Sequence, residues 1–316
     1  MKLQLTKKSS GLDRFGFFYW FKKELGVPFF YNSKTDWEHG WQFNEFDCKN
    51  LTKYKWWLNR RMHQVVSSNK KKELIKSYGH KNTHVAPYPF FFFNNGFLKK
   101  KFLKKNNNDC LLVIPNKIQP FTEVEEEKRR ILKYLTFIDN YKNDFEKISV
   151  SIPPDEKGHE IWQYIINKLK FDYIDGISPF DQNAYYRTIE LFNNFEYITS
   201  DCIGSHALYS QLMKKKFSIC HPPNEIRRYH QKLNIPQNCP VRAKDVVRDM
   251  EYSFSIDYLK SRYFFLIKDN PKKGFFDFDW ALKTIGDNKD ITKEQIREIL
   301  GLNIIGQIKY YINKII

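Results

Sequence analysis

The residues best suited to chemistry are concentrated in one run, Tyr197-Ile198-Thr199-Ser200-Asp201-Cys202-Ile203-Gly204-Ser205-His206. An apolar strand leads into a short loop rich in hydroxyls and containing a glycine, and a helix is expected to start at Ser205. Helix starts carry unpaired N–H groups and the positive end of the helix dipole, which suit a phosphate or diphosphate. Thr199, Ser200 and Ser205 can donate to phosphate oxygens, Gly204 allows close backbone approach, and Asp201 and His206 flank them. The same residues also suit a bare N-cap and a tight turn that bind nothing. His221, followed by Pro222-Pro223, closes the next strand and could meet a phosphate or a leaving group, or simply end the sheet.

A second constellation lies near the N-terminus, where Asp36-Trp37-Glu38-His39-Gly40-Trp41 sets an imidazole and two carboxylates between two indoles. His39, or else Asp36 or Glu38, has the chemistry of a general base for deprotonating a hydroxyl. Trp37 and Trp41 can stack on a sugar ring or merely anchor a surface loop. Trp56-Trp57-Leu58-Asn59-Arg60-Arg61 reads as core packing with a basic edge, although aromatic and basic residues also bind single-stranded nucleic acid. His159 and Glu160 at a helix start, and Arg187 on the following helix, are further polar candidates.

These residues need a scaffold, and the hydrophobic pattern supplies one. Short apolar runs at Leu111–Ile114, Lys147–Ile152, Phe171–Ile174, Glu196–Thr199 and Phe217–Cys220 read as strands. Between them stand helical patterns at Val124–Asn140, His159–Leu169, Asp181–Asn193 and Ser205–Met213. Such alternation predicts a parallel, doubly wound sheet, with ligands bound at the carboxyl ends of its strands. Upstream, Phe15–Leu25 reads as a helix stopped by Gly26 and Pro28, and Pro28–Tyr31 as a short strand leading into the 35–41 loop. His63–Ser67, Lys70–Tyr78 and Thr83–Ala86 form a strand–helix–strand unit, while the apolar run Pro89–Phe93 reads as a buried strand or its exit. The charged segment Lys99–Asp109 reads as a linker. Beyond Asp245 the pattern is mainly helical, with Thr292 capping a helix over Asp290–Leu300 and an amphipathic end at Ile304–Ile316.

Composition sets outer limits. The 316 residues allow two modest domains, and 28 Phe with 19 Tyr argue against disorder for the bulk of the chain. Lys plus Arg number 53 against 36 Asp plus Glu, a formal +17 that attracts polyanions. An AT-rich genome gives the same enrichment in Lys, Asn, Ile, Phe and Tyr, so charge alone assigns no partner. Five scattered cysteines without a CxxC pair speak against a disulfide framework or a structural zinc site. No run approaches the length of a membrane span, and no signal-peptide core stands at the N-terminus, so a cytoplasmic setting is expected.

The string EYITSDCIGSHALYSQLMKKKFSICHP, residues 196–222, resembles the nucleotide-sugar-binding region of GT-B-type glycosyltransferases of surface-polysaccharide biosynthesis. WEHGW, HVAPYPFFFF and LLVIPNK are similar to further stretches of that group. The resemblance implies an α/β, GT-B-like fold: two Rossmann-like lobes with parallel sheets and a helical C-terminal segment. Residues 1–105 would be a small acceptor-side lobe, 106–250 the nucleotide-sugar-binding lobe, and 251–316 a helical segment packing back on both. The implied reaction is metal-independent transfer of a sugar from a nucleotide-sugar to a hydroxyl of a glycan or glycolipid acceptor. Thr199, Ser200, Asp201, Gly204, Ser205, His206 and His221 would hold the donor, and His39, Asp36 or Glu38 would supply the base. No cofactor is implied beyond the nucleotide-sugar co-substrate. Two departures stand out: Pro115-Asn116-Lys117 replaces a His-containing stretch, and the helix after Gly204 lacks the acidic residue that commonly binds the donor ribose. The His–Gly pair and the Ser-Asp loop are also similar to polyol-phosphate transferases of the CDP-glycerol type, in which His39 would be the base. A nucleic-acid-binding protein is the expectation from a different class, and nucleic acid is the disfavoured partner. The basic surface is compatible with peripheral contact at the inner membrane face.

Overall fold

The computed structural model describes residues 14–28, 31, 33, 35–38, 63–77, 82–94, 109–118, 123–220, 256–287 and 290–308. The chain divides into two compact units. One comprises Phe102–Ser178 and Thr188–Phe278, the other Lys2–Lys101, Pro179–Arg187 and Asp279–Ile316.

The first unit carries a six-stranded parallel sheet: β4 (Cys110–Ile114), β5 (Lys147–Ile152), β6 (Asp172–Asp175), β7 (Tyr197–Ser200), β8 (Lys216–Cys220) and β9 (Ile267–Lys268). Their order across the sheet is β6-β5-β4-β7-β8-β9. The chain thus steps outward from β4 in one direction, returns to β7 beside β4, and steps outward in the other, the strand order of a Rossmann-like sheet. β4 is apolar throughout because it is flanked on both sides, and Leu111, Leu112 and Val113 are fully buried. β5 alternates instead. Its Ile148, Val150 and Ile152 enter the core, while the Ser149 hydroxyl donates to Asp172 at 2.7 Å. The helix Val124–Asp139 buries Ile131, Tyr134, Leu135 and Ile138, one face at helical spacing, into the same core as Trp162 and Ile165 of the helix Glu160–Lys168. The sequence pattern gave the region beyond Asp245 as mainly helical. β9 departs from that: only two residues long, it pairs with Ile219 and Cys220, a contact too short to leave a periodic trace.

The second unit carries a three-stranded parallel sheet in the order β1 (Thr35–Trp37), β2 (His63–Val66), β3 (Thr83–Val85). The helix Asn69–Ser77 connects β2 to β3 and packs Ile75 against Val66 and Val85. β1 corrects the expectation that Thr35–Trp41 begins as loop. The residues Thr35, Asp36 and Trp37 pair with His63, Gln64 and Val65. Trp37 stacks on Phe21 with ring centroids 5.4 Å apart, and its indole N–H donates to the Pro87 carbonyl at 3.1 Å. Pro89–Asn94 is a helix rather than a strand. Proline at the first helical position lacks only a donor that no helix start uses, and its fixed φ is already helical. Phe90, Phe92 and Phe93 of that helix are buried together with Phe17 and Phe21 of the helix Phe17–Glu24. That helix starts after Gly16, whose φ is +68° and where a Cβ would lie 2.0 Å from the Gln182 carbonyl oxygen, so only glycine fits. Thr292 caps the helix Lys293–Ile299 in a capping box with Gln295. Among the described residues no helix is long and apolar enough to cross a membrane.

Candidate functional site

In an open parallel sheet ligands bind outside the carboxyl ends of the strands where the strand order reverses. Here that point lies between β4 and β7, and two loops meet at it: residues 115–118 after β4 and 201–204 after β7. The helix Ser205–Leu212 begins at the same edge after Gly204, with no side-chain cap on its first turn. The loop singled out in the sequence therefore lies at the carboxyl edge of the sheet, beside the reversal of strand order.

Its side chains are arranged differently from the expectation. Thr199 and Ser200 lie on β7 itself and are fully buried. The Thr199 hydroxyl donates to the Ser218 carbonyl at 3.1 Å and accepts from the Ser218 hydroxyl at 3.0 Å. The Ser200 hydroxyl donates to the Ile114 carbonyl at 2.7 Å and accepts the Cys202 N–H. Both hydroxyls thus tie neighbouring strands together. Asp201 is buried and accepts the Asn116 N–H and an Arg130 guanidinium N–H, each at 2.7 Å. Arg130 also pairs with Glu127 and donates to the carbonyls of Asn116 and Lys117. Burial works against the Arg130 charge, but Asp201 and Glu127 outweigh it and raise the pKa on balance. From the other side, Glu156 accepts the Ile118 N–H at 3.0 Å and the Trp162 indole N–H at 3.1 Å, and burial raises its pKa. The loop after β4 is held by carboxylates from the loops after β5 and β7.

Of the remaining residues of that loop, His206 faces inward. Its ring packs near Phe217, and Nε2 lies 3.1 Å from the Cys202 carbonyl. Burial pushes its pKa down, which disfavours a charged imidazolium as a phosphate partner. A Cβ at Gly204 would lie 2.8 Å from the His206 ring, which would have to shift, the φ of −172° being ordinary extended backbone. Ser205, half-buried at the first turn of its helix, is the predicted residue best placed to meet an anion. The Cys202 thiol, buried beside Asp201, is pushed up to about 12 and is no nucleophile at neutral pH. His221 lies outside the described residues.

The N-terminal constellation is only partly described. Asp36 is on β1 and His39 lies outside the described residues. Glu38 is buried, ion-paired with Lys71, and accepts the Ser67 N–H at 2.7 Å and the Tyr88 hydroxyl at 3.2 Å. With both oxygens engaged it is a structural anchor. Arg187 likewise ion-pairs with buried Asp181, and His159 caps its own helix through Nδ1. The Trp56–Arg61 segment and the linker ahead of Asp109 lie outside the described residues.

Several functional candidates went unread in the sequence. Asn116, Arg130 and Glu156 gather at the crevice from separate elements. In the three-stranded unit, His63, Lys72, His84, Gln295, Glu298 and Asn303 line a cavity of about 820 Å³. Local pattern places His63 and His84 on strands but carries no sign that strand pairing brings them together. Among the described residues no group of three or more His, Cys, Asp or Glu gathers as a metal site would require. No family model, no curated protein and no solved structure matches this chain.

Proposed function

We propose that the protein is a metal-independent, nucleotide-sugar-dependent glycosyltransferase of GT-B-like design, with the six-stranded unit as donor lobe and the three-stranded unit as acceptor lobe. The observation that carries this reading is the reversal of strand order between β4 and β7 at the loop whose sequence resembles a nucleotide-sugar site. The donor diphosphate is held by the first turn of the helix Ser205–Leu212 and the Ser205 hydroxyl, in a crevice held by Asp201, Arg130 and Glu156. Backbone dipoles fixed before the reaction stabilise the departing nucleoside diphosphate without reorganisation. The acceptor hydroxyl loses its proton to His39 or Asp36, since Glu38 is engaged with Lys71.

The test is a thermal-shift screen of the full chain against UDP, GDP, CMP, CDP and dTDP. One of them is expected to raise the melting temperature by mass action. Ser205→Glu separates the site from the fold, because a carboxylate at a helix start favours the helix but repels a diphosphate. The variant should melt no lower than the parent and lose the shift. Silence of all five nucleotides removes the donor-site reading, and a retained shift in the variant places the nucleotide elsewhere. A response to CDP and CMP alone marks the CDP-glycerol-type transferase.

A further inference from the structure

The cavity in the three-stranded unit brings polar side chains from β2, β3 and the helices Asn69–Ser77 and Lys293–Ile299 together. His63 Nδ1 lies 3.1 Å from His84 Nε2, with ring planes 13° apart and centroids 5.3 Å apart. Rings so nearly coplanar, yet with centroids this far apart, meet end to end, joined by one N–H···N bond. An imidazole pair joined by one such bond keeps at least one outer N–H. Burial, with the charges of His63 and Lys72, holds His84 down at about 4, so its ring is neutral at physiological pH.

Lys72 lines the same cavity half-buried, and among the described residues its ammonium has no ion-pair partner. Glu298 also lines it without a partner among them. Gln295 and Asn303 use their amide oxygens on the Thr292 and Gly306 N–H groups, which turns their NH₂ groups to other use. Val85 and Ile299 add an apolar surface. A metal ion fits this set poorly: only two imidazoles converge, and Lys72 repels a cation. A lone ammonium with a neutral N–H donor suits a phosphate, for which lysine acts as a point charge. An unpaired carboxylate and two amides suit hydroxyl groups, and the volume exceeds what a bare phosphate fills.

We propose that this cavity binds a phosphorylated sugar, with Lys72 and the outer N–H of the imidazole pair on the phosphate, and Glu298, Gln295 and Asn303 on the hydroxyls. If the transferase reading holds, this is the acceptor site, an assignment that rests on that reading; the binding itself does not.

The test needs no nucleotide, so its failure is distinct from failure of the donor site. The full chain is titrated calorimetrically at neutral pH with glucose 6-phosphate, glucose and inorganic phosphate. Glucose 6-phosphate is expected to bind at least about tenfold more tightly than either component. Lys72→Gln should remove that preference, and Glu298→Gln should weaken glucose 6-phosphate while leaving inorganic phosphate unchanged. Both substitutions are on helix surfaces, and unchanged melting temperatures confirm intact variants. No heat at about 10 mM glucose 6-phosphate overturns the proposal. So does inorganic phosphate binding as tightly as the sugar phosphate, or a Lys72→Gln variant that binds like the parent.

Discussion

Replacing Asp201 by alanine tests whether the crevice at β4 and β7 is held by the charge pair that spans it. The Asp201 side chain is 3% exposed and its partner Arg130 14%, at 2.7 Å. Removing one member of a buried pair typically costs about 3–5 kcal/mol, because the other is left desolvated. Glu127 remains on Arg130, so the loss should lie at the lower end, about 3 kcal/mol. The unit holds about 170 residues, for which each kcal/mol moves the melting temperature by about 2–4 °C, giving a drop of about 6–12 °C. Asp201→Asn keeps an oxygen for the Asn116 N–H but removes the charge, and should lose about half as much. Circular dichroism melts of the full chain read both. An Asp201→Ala variant melting within about 1 °C of the parent refutes the reasoning, since a pair worth nothing cannot be what fixes the two loops.

Lys71→Met leaves the buried Glu38 carboxylate without its cation and should destabilise by about 3 kcal/mol in urea unfolding, with part of the loss recovered when Glu38→Gln is added. Additive effects of the two substitutions would show that the pair is not coupled. Stability should fall as pH drops from 6.5 towards 4, because the unfolded His84 takes up a proton near 6.5 while the folded one resists until about 4. The full shift corresponds to about 3 kcal/mol, reduced by partial solvent screening to about 1–2 kcal/mol. His84→Gln should flatten that part of the profile in urea titrations at pH 7 and pH 4.5, and an unchanged slope would remove His84 as its cause.

Much of the six-stranded sheet was legible because its signals are local. Lys147–Ile152 reads as a strand from its own alternation, and Val124–Asp139 as a helix from its own apolar stripe. The loop at residues 201–204 was legible as a place for the same reason, a strand running into glycine and a helix start. The roles of its side chains were not, since a serine that bonds the Ile114 carbonyl looks the same in sequence as one that awaits a phosphate. Arg130 stands 71 residues from Asp201, and nothing in either segment marks the pairing. The His63–His84 contact depends on the register of β2 with β3, which a strand pattern alone does not set. Pro89–Phe93 was misread because five apolar residues fit a buried strand and a buried helix equally well.

The three-stranded unit takes its closing contacts from the far end of the chain. The Thr35 hydroxyl donates to the Ile299 carbonyl across 264 residues, and the Arg297 guanidinium donates to the Leu25 carbonyl across 272. Tyr88 N–H donates to the Ile285 carbonyl, and Gly286 fits against Ser67 so closely that a Cβ would lie 2.5 Å from its oxygen. On the ribosome, at about 5–20 residues per second, the phenylalanine-rich N-terminal segment waits some ten seconds or more before these partners emerge. During that interval Leu25, Thr35, Ser67 and Tyr88 lack these partners, while the strands of the six-stranded sheet, the last ending at Lys268, are already made. The three-stranded unit can therefore close only after every strand of the six-stranded sheet has been made, and the interval before release is when a chaperone that shields aromatic surface would matter most to yield.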